Sequence, residues 1–263
     1  ERVIHPFEPV RRDGDAVQVW GRTYRLNRLG LPDGIVSQGE PVLGDPARVV
    51  VTVDGEEKTV DVEGFLSTGP KWTDTEPWRA SFRGAGEGGG LRFRAEGWIE
   101  QDGLVYVELT YEPDGGDPAR VDALRIEFPL DSEQVECLLC LGTGGNYSAR
   151  TTRVLSAAGD GKLWDTLDTG RNGSGMTVGS FYPCVWLGNE RRGLLWWGDS
   201  DRGWVPRDDV PAHEVVRRDG QVILRNNIIG KPFTVEGPRT ITFTYIASPF
   251  RPLVKGWRAS IHS

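Results

Sequence analysis

The chain is poor in the residues that build most redox and metal centres. Its 263 residues hold three cysteines, three histidines and one methionine. Three is an odd number and forms no disulfide framework, and His5, His213 and His262 lie far apart in sequence. No apolar run reaches the ~18 residues that mark a transmembrane helix. The opening residues, "ERVIHPFEPVRR", lack the apolar segment of a secretory leader, so no signal peptide is expected within this sequence. Basic charge is also short. Lysine and arginine number 31 against 38 aspartates and glutamates, for a net charge of −7, whereas nucleic acid calls for a basic face. Mean hydropathy is −0.40, as in a soluble globular chain.

Long uninterrupted segments are missing as well. The chain has 35 glycines and 17 prolines, about a fifth of its length against a usual combined level of about 12%. The longest stretch free of both, Asn146–Ala158, has 13 residues. Helices of ordinary length have little room in such a chain, and short strands joined by turns are predicted instead. All-β folds of roughly 200–250 residues often form one domain. A single large antiparallel two-sheet β-sandwich over residues 1–263 is therefore expected.

Period-two patterns mark the strands. In 239–247, Ile241, Phe243 and Tyr245 alternate with Thr240, Thr242 and Thr244, as on a strand with one buried and one wet face. Residues 104–111 place Val105, Val107, Leu109 and Tyr111 on one side, and 121–128 do the same with Leu124, Ile126 and Phe128. Residues 48–53, 91–100 and 221–229 are further strands. "LPDG" (31–34) has the prolyl and glycyl positions of a type I turn. The best helix candidate is 130–139, with Asp131 as cap and Gln134 closing a capping box; a turn followed by a strand fits as well. "GAGEGGG" (84–90) reads as a loop between strands, without the Lys-Ser/Thr of a phosphate cradle. Residues 142–180 read as long surface loops. Cys137 and Cys140 form a CxxC, either half of a redox or metal site or two buried apolar residues. On a strand, positions three apart face opposite ways, so no metal or redox centre is expected there or at Cys184.

The densest stretch is "FYPCVWLGNERRGLLWWGDSDRGW", residues 181–204, with four tryptophans. It reads as a strand over 181–187, a turn over 188–193 and a returning strand over 194–198. Both faces of the first strand are apolar, as in a strand covered on both sides. After Trp197 the chain turns abruptly polar. A ring beside carboxylates and a guanidinium suits a sugar, which stacks its C–H face and hydrogen-bonds its hydroxyls. The candidate ligand-binding residues are therefore Trp197, Asp199, Asp201, Arg202 and Trp204, with Asn146 and Tyr147 in "GGNYS" as a second choice. The alternative is a loop closed by a structural tryptophan and an Arg–Asp pair. Asp199 and Asp201, two apart and desolvated by the neighbouring rings, form the one local carboxylate pair to test for catalysis.

The same stretch resembles the N-terminal sandwich domain of glycoside hydrolase family 123 and its relatives. The matching positions are Pro183, Trp186, Leu187, Gly188, Arg192, Gly193, Leu194, Trp196, Trp197, Ser200, Asp201, Gly203 and Trp204. "VWGRTYRLNRLGLPDGIVSQGEPVLGDPARV", "IEQDGLVYVELTYEP" and "SPFRPLVKGWR" are similar to the same domain. "GEPVLGDP" more loosely resembles the supersandwich of galactose-mutarotase-like proteins. The resemblance implies a large β-sandwich within a bacterial polysaccharide-degrading enzyme that is secreted or periplasmic. It also implies a substrate-assisted Asp-Glu pair on a separate (β/α)-barrel, expected after Ser263. This chain has no Asp-Glu dipeptide, so no catalytic residue, metal or cofactor is expected in it. Four roles follow: accessory domain of a glycosidase, free-standing carbohydrate-binding module, sugar-active enzyme on a supersandwich scaffold with His213 as its only interior histidine, or structural spacer. The partner class is glycan, with neither nucleic acid nor membrane.

Overall fold

Glycine and proline divide this chain into strands of two to ten residues. The computed structural model describes residues 3–60, 70–141, 150–155, 159–167, 181–205 and 209–250. In chain order, β1 (Arg11–Asp13), β2 (Ala16–Val19), β3 (Arg22–Leu26), β4 (Pro32–Ser37) and β5 (Glu40–Pro41) form a five-stranded meander. Then come β6 (Arg48–Val53), β7 (Glu56–Thr59), β8 (Lys71–Glu76), β9 (Arg79–Gly88), β10 (Leu91–Glu100), β11 (Val105–Pro113), β12 (Ala119–Val121) and β13 (Ala123–Asp131). They are followed by β14 (Cys137–Leu141), β15 (Arg150–Val154), β16 (Gly161–Asp165), β17 (Cys184–Gly188) and β18 (Gly193–Gly198). The last are β19 (His213–Arg218), β20 (Gln221–Ile229), β21 (Phe233–Val235) and β22 (Arg239–Ser248). One 3-10 turn, Ser132–Gln134, is the only helical element among the described residues.

Two large antiparallel sheets make the sandwich. One runs β15-β14-β17-β18-β22-β11-β10-β9-β8, the other β16-β19-β20-β13-β6-β7. Their inner faces meet in one contiguous core. Phe128 of β13 packs on Tyr245 of β22 at 5.8 Å between ring centres, and His213 of β19 on Trp196 of β18 at 5.0 Å. The meander docks on the end of β22. Buried Arg22 donates to the carbonyls of Asp102, Ala247 and Phe250, and the Ala247 amide donates to Tyr24 Oη at 3.1 Å.

The expected alternation holds: Val105, Val107, Leu109 and Tyr111 are buried on β11, and Ile241, Phe243 and Tyr245 on β22. Three local expectations are corrected. "LPDG" opens strand β4, because the turn lies just before it: Asn27 Oδ1 accepts from the amides of Leu29 and Leu31, and Gly30 takes φ +69°. Residues 84–88 of "GAGEGGG" are strand, not loop. Gly84 is needed there because a Cβ would lie 1.4 Å from the Arg28 carbonyl oxygen, and the turn is left to Gly89 and Gly90. Of the two readings of 130–139 the turn followed by a strand holds: Asp131 Oδ1 accepts from the Glu133 amide at 3.0 Å at the 3-10 turn, and β14 follows. Within 142–180, β15 and β16 are strands rather than loop; 142–149, 156–158 and 168–180 lie outside the described residues.

Two buried polar groups follow from this packing. Glu127 on β13 is 2% exposed and accepts from Arg48 at 2.8 Å, Arg125 at 2.8 Å and Arg225 at 3.0 Å. Burial alone would raise its pKa, but the three guanidiniums hold it below the usual glutamate value of 4.5. His213 is fully buried, and burial pushes its pKa down from 6.5 to about 4 despite the Asn226 contact.

Both groups bind protons more weakly folded than unfolded, so each removes stability as the pH falls. The histidine acts between pH 6.5 and about 4, for a loss on the order of 3 kcal/mol. The glutamate acts below pH 4.5. Urea unfolding of His213→Gln followed across pH 7 to 4 should show a flatter profile than wild type over the upper window. Glu127→Gln should lower stability at pH 7 by about 3 kcal/mol, because three guanidiniums lose the buried carboxylate they share.

Candidate functional site

The tryptophan-rich stretch divides between two environments because side chains on a strand alternate. On β17 and β18, Val185, Leu187, Leu194 and Trp196 enter the core, while Trp186, Leu195 and Trp197 stand on the outer face of the nine-stranded sheet. Trp196 is 1% exposed and its neighbour Trp197 is 47% exposed. The Trp186 ring lies across Gly188 and Gly193, where a Cβ would come within 2.7 and 2.8 Å of it. Its indole donates to Ser248 Oγ at 3.2 Å. These contacts explain why glycine stands at both ends of the turn.

Trp204 belongs to the core. It is 4% exposed and packs against Phe181 at 5.1 Å, His213 at 5.4 Å and Trp196 at 6.2 Å. Its ring has no open face for a ligand, so the expectation of stacking there is corrected to the structural alternative. The loop between Trp197 and Trp204 is a folded turn rather than an extended segment. The Trp204 amide donates to the Asp201 carbonyl at 3.0 Å, and Gly203 has φ +84° with a Cβ position 2.2 Å from the Thr240 oxygen. Its carbonyl accepts from Tyr111 Oη at 2.6 Å and Arg239 Nε at 3.0 Å. Asp199 and Asp201 consequently do not act as a same-side pair. Asp199 lines a groove and Asp201 does not, and both are exposed rather than desolvated by the rings.

The groove, of about 610 Å³, runs between this loop and the outer face of β11 and β22. Asp199 and Arg202 form one wall, Tyr106 and Glu108 the other, and Thr240 and Thr242 the floor. Tyr106 Oη donates to Glu108 Oε1 at 2.9 Å. Burial first, then this bond and the glutamate charge, push the tyrosine pKa up to about 12, so Tyr106 remains a hydrogen-bond donor at neutral pH. Arg239 is committed to the Gly203 and Trp204 carbonyls and stacks over Phe233. The arrangement offers hydroxyls, carboxylates and one open guanidinium to a hydroxylated ligand, beside an exposed indole.

Of the sequence-derived site residues, Asp199 and Arg202 meet in this groove and Trp197 stands on the same face. Asn146 and Tyr147 lie outside the described residues. Tyr106 and Glu108 were missed. Their signal was the wet alternate face of "LVYVELTY", whose apolar face alone marked the strand. His213 is sealed among Phe181, Trp196 and Trp204, with Nδ1 against Asn226 Oδ1 at 2.8 Å, and reaches no groove. Cys137 and Cys140 occupy opposite faces of β14, and burial raises the Cys184 thiol to about 11. Among the described residues no three His, Cys, Asp or Glu side chains gather as a metal site, and no helix is long and apolar enough to cross a membrane.

No curated protein matches this chain. Among solved structures, the Slr1438 protein from Synechocystis sp. PCC 6803 aligns over 94% of this chain and 96% of its own, at 10% identity and a TM-score of 0.48. Galactose 1-epimerase from Lactobacillus acidophilus NCFM aligns over 92% and 98%, at 7% identity and 0.48. The alpha-N-acetylgalactosaminidase NagBb from Bifidobacterium bifidum, in complex with GalNAc, aligns over 94% of this chain but 38% of its own, at 13% identity and 0.46. Residues 10–196 match the family described as "Glycoside hydrolase 123, third domain"; the sequence resemblance had implied an N-terminal one. The match runs from just before β1 into β18, covers more than half of the chain and takes in strands of both large sheets, so the chain belongs to the glycoside hydrolase 123 third-domain family.

Proposed function

We propose that this chain is a non-catalytic sandwich domain of a carbohydrate-active enzyme, and that it contributes to glycan binding beside a separate catalytic barrel. The observation that carries the reading is the polar groove on the outer face of the nine-stranded sheet, where Tyr106, Glu108, Asp199 and Arg202 converge beside exposed Trp197. Membership of a glycoside hydrolase family supports a carbohydrate context. The hydroxyl floor of Thr240 and Thr242 suits sugar hydroxyls, and the loop that carries Asp199 and Arg202 is anchored from below by Tyr111 and Arg239, so its binding groups are held in place before the ligand arrives.

The second reading, a sugar-active enzyme on the same scaffold, is favoured by the two carboxylates of that groove. Glycoside hydrolysis needs an acid and a base or nucleophile across the anomeric carbon, and Glu108 and Asp199 are the carboxylates lining it. Against it stand the exposure of both and the burial of His213.

A glycan array and an aryl-glycoside assay separate these readings. The 263-residue chain should retain immobilised galactosides or N-acetylgalactosaminides, with affinity falling on the order of ten-fold, or about 1.4 kcal/mol, in Asp199→Ala. It should release no aryl alcohol from aryl β-N-acetylgalactosaminide or aryl β-galactoside above buffer. Turnover abolished by Asp199→Asn or Glu108→Gln would replace the accessory role with a catalytic one.

A further inference from the structure

We infer that the groove is one part of a longer track, and that its ligand is a linear neutral oligosaccharide laid across the strands rather than a single sugar; this rests on the glycan-binding reading above. The ladder pairings place Trp98, Tyr106, Thr244 and Trp197 opposite one another on four consecutive strands, β10, β11, β22 and β18. All four stand on the face turned away from the core. Adjacent strands lie about 4.8 Å apart, so the row is about 14 Å long and its Tyr106 and Trp197 positions are about 10 Å apart.

The rings in this row are organised. Trp98 and Tyr106 stack at 4.0 Å with an interplanar angle of 16°, and the Arg79 guanidinium lies 5.4 Å from the Trp98 ring centre. Trp98 is further tied down by its indole, which donates to Glu100 at 3.1 Å. Since Trp98 covers the β10 side of Tyr106, the other ring face of Tyr106 looks along the row toward β22 and Trp197. Two aromatic surfaces therefore flank a threonine at a separation wider than one pyranose ring, and a ligand that contacts both must contain more than one sugar.

Beside the rings runs a parallel polar row, in which Glu96, Glu108 and Thr242 are ladder partners on β10, β11 and β22. Rings for the C–H faces and acceptors for the hydroxyls thus run side by side across the strands. Charge selects among glycans. Glu108 and Asp199 face the groove with Arg202, while Arg239 is held by backbone carbonyls. With two carboxylates and two guanidiniums in its lining the groove has no excess positive charge to draw a sulfated or uronic chain, and a neutral chain needs none.

The experiment is isothermal titration of the 263-residue chain with galactose, N-acetylgalactosamine, and β-linked galacto-oligosaccharides of two, four and six units, with a chondroitin sulfate hexasaccharide as the charged comparison. The tetrasaccharide should bind at least ten-fold tighter than the disaccharide and at least ten-fold tighter than the chondroitin sulfate hexasaccharide. Trp197→Ala, whose indole stands on the surface, should keep the wild-type circular dichroism while losing the gain at four units, so that it binds the disaccharide and the tetrasaccharide with equal affinity. Equal wild-type affinity for two and four units, or a gain that Trp197→Ala retains, overturns the track and leaves glycan binding standing. Preference for chondroitin sulfate overturns the neutral ligand. Binding to none of the probes overturns the track together with the reading on which it rests.

Discussion

A side chain on a β-strand points to one face of its sheet or the other, and the nine-stranded sheet is covered by its partner on one face. That constraint assigns every residue of the tryptophan-rich hairpin. Trp196 and Trp197 are adjacent in sequence and chemically identical, yet one is 1% exposed and the other 47%. Nothing in composition separates them; register does. A slip of one residue would bring Trp197 into the core and leave Trp196 in water. The pairings of β18 with both β17 and β22 therefore fix the outer face and the core at once. Gly188 and Gly193 take part in the same arrangement, since the Trp186 ring lies where their side chains would stand.

The groove depends on the core beneath it. Tyr111 is buried on the inner side of β11, yet its hydroxyl reaches the Gly203 carbonyl, and Arg239 at the start of β22 reaches the carbonyls of Gly203 and Trp204. The loop that presents Asp199 and Arg202 is thus pinned at its far end, where Trp204 sinks into the cluster of Phe181, Trp196 and His213. Trp204 is a positioning residue for this loop: it anchors the turn whose outer part faces solvent. The buried histidine completes the cluster as a neutral ring, which is the form that an apolar site favours.

The strands were legible wherever one face was wet. Segments 48–53, 91–100 and 221–229 match β6, β10 and β20 in both type and extent, because alternation of apolar and polar residues is a local signal. Legibility failed where a distant segment decides. Gly84 reads as loop in sequence, and only the Arg28 backbone, more than fifty residues away, makes it a strand position. Pro32 and Gly34 have turn chemistry, but Asn27 had already closed the turn with its side chain. At the groove, the polar run after Trp197 marked the loop that forms one wall, with Asp199 and Arg202 in it. It could not show that Gly203 bends the chain so that Asp201 leaves the groove, nor that β11 supplies the opposite wall. Tyr106 and Glu108 come from a strand ninety residues earlier, brought beside the loop only by the pairing of β11 with β22.

The two faces of the sandwich differ in how deeply they bury charge. On the outer side of the six-stranded sheet, Glu127 is enclosed by Arg48, Arg125 and Arg225, and Glu57 and Glu214 take up the remaining guanidinium groups. Every charge there has a partner of opposite sign, so this cluster holds β6, β13 and β20 in register and has little left to offer a ligand. On the outer side of the nine-stranded sheet, Arg83, Arg92 and Arg94 pair with Glu96 and Glu112 near the surface, but the row from Trp98 to Trp197 carries stacked rings and a threonine, and Arg202 has no such cage around it. A domain that needed only to hold two sheets together gains nothing from an exposed indole beside a hydroxyl-lined groove, since apolar surface left in water adds no stability. That asymmetry is the reason the proposed glycan site is put on the nine-stranded sheet rather than on the six-stranded one.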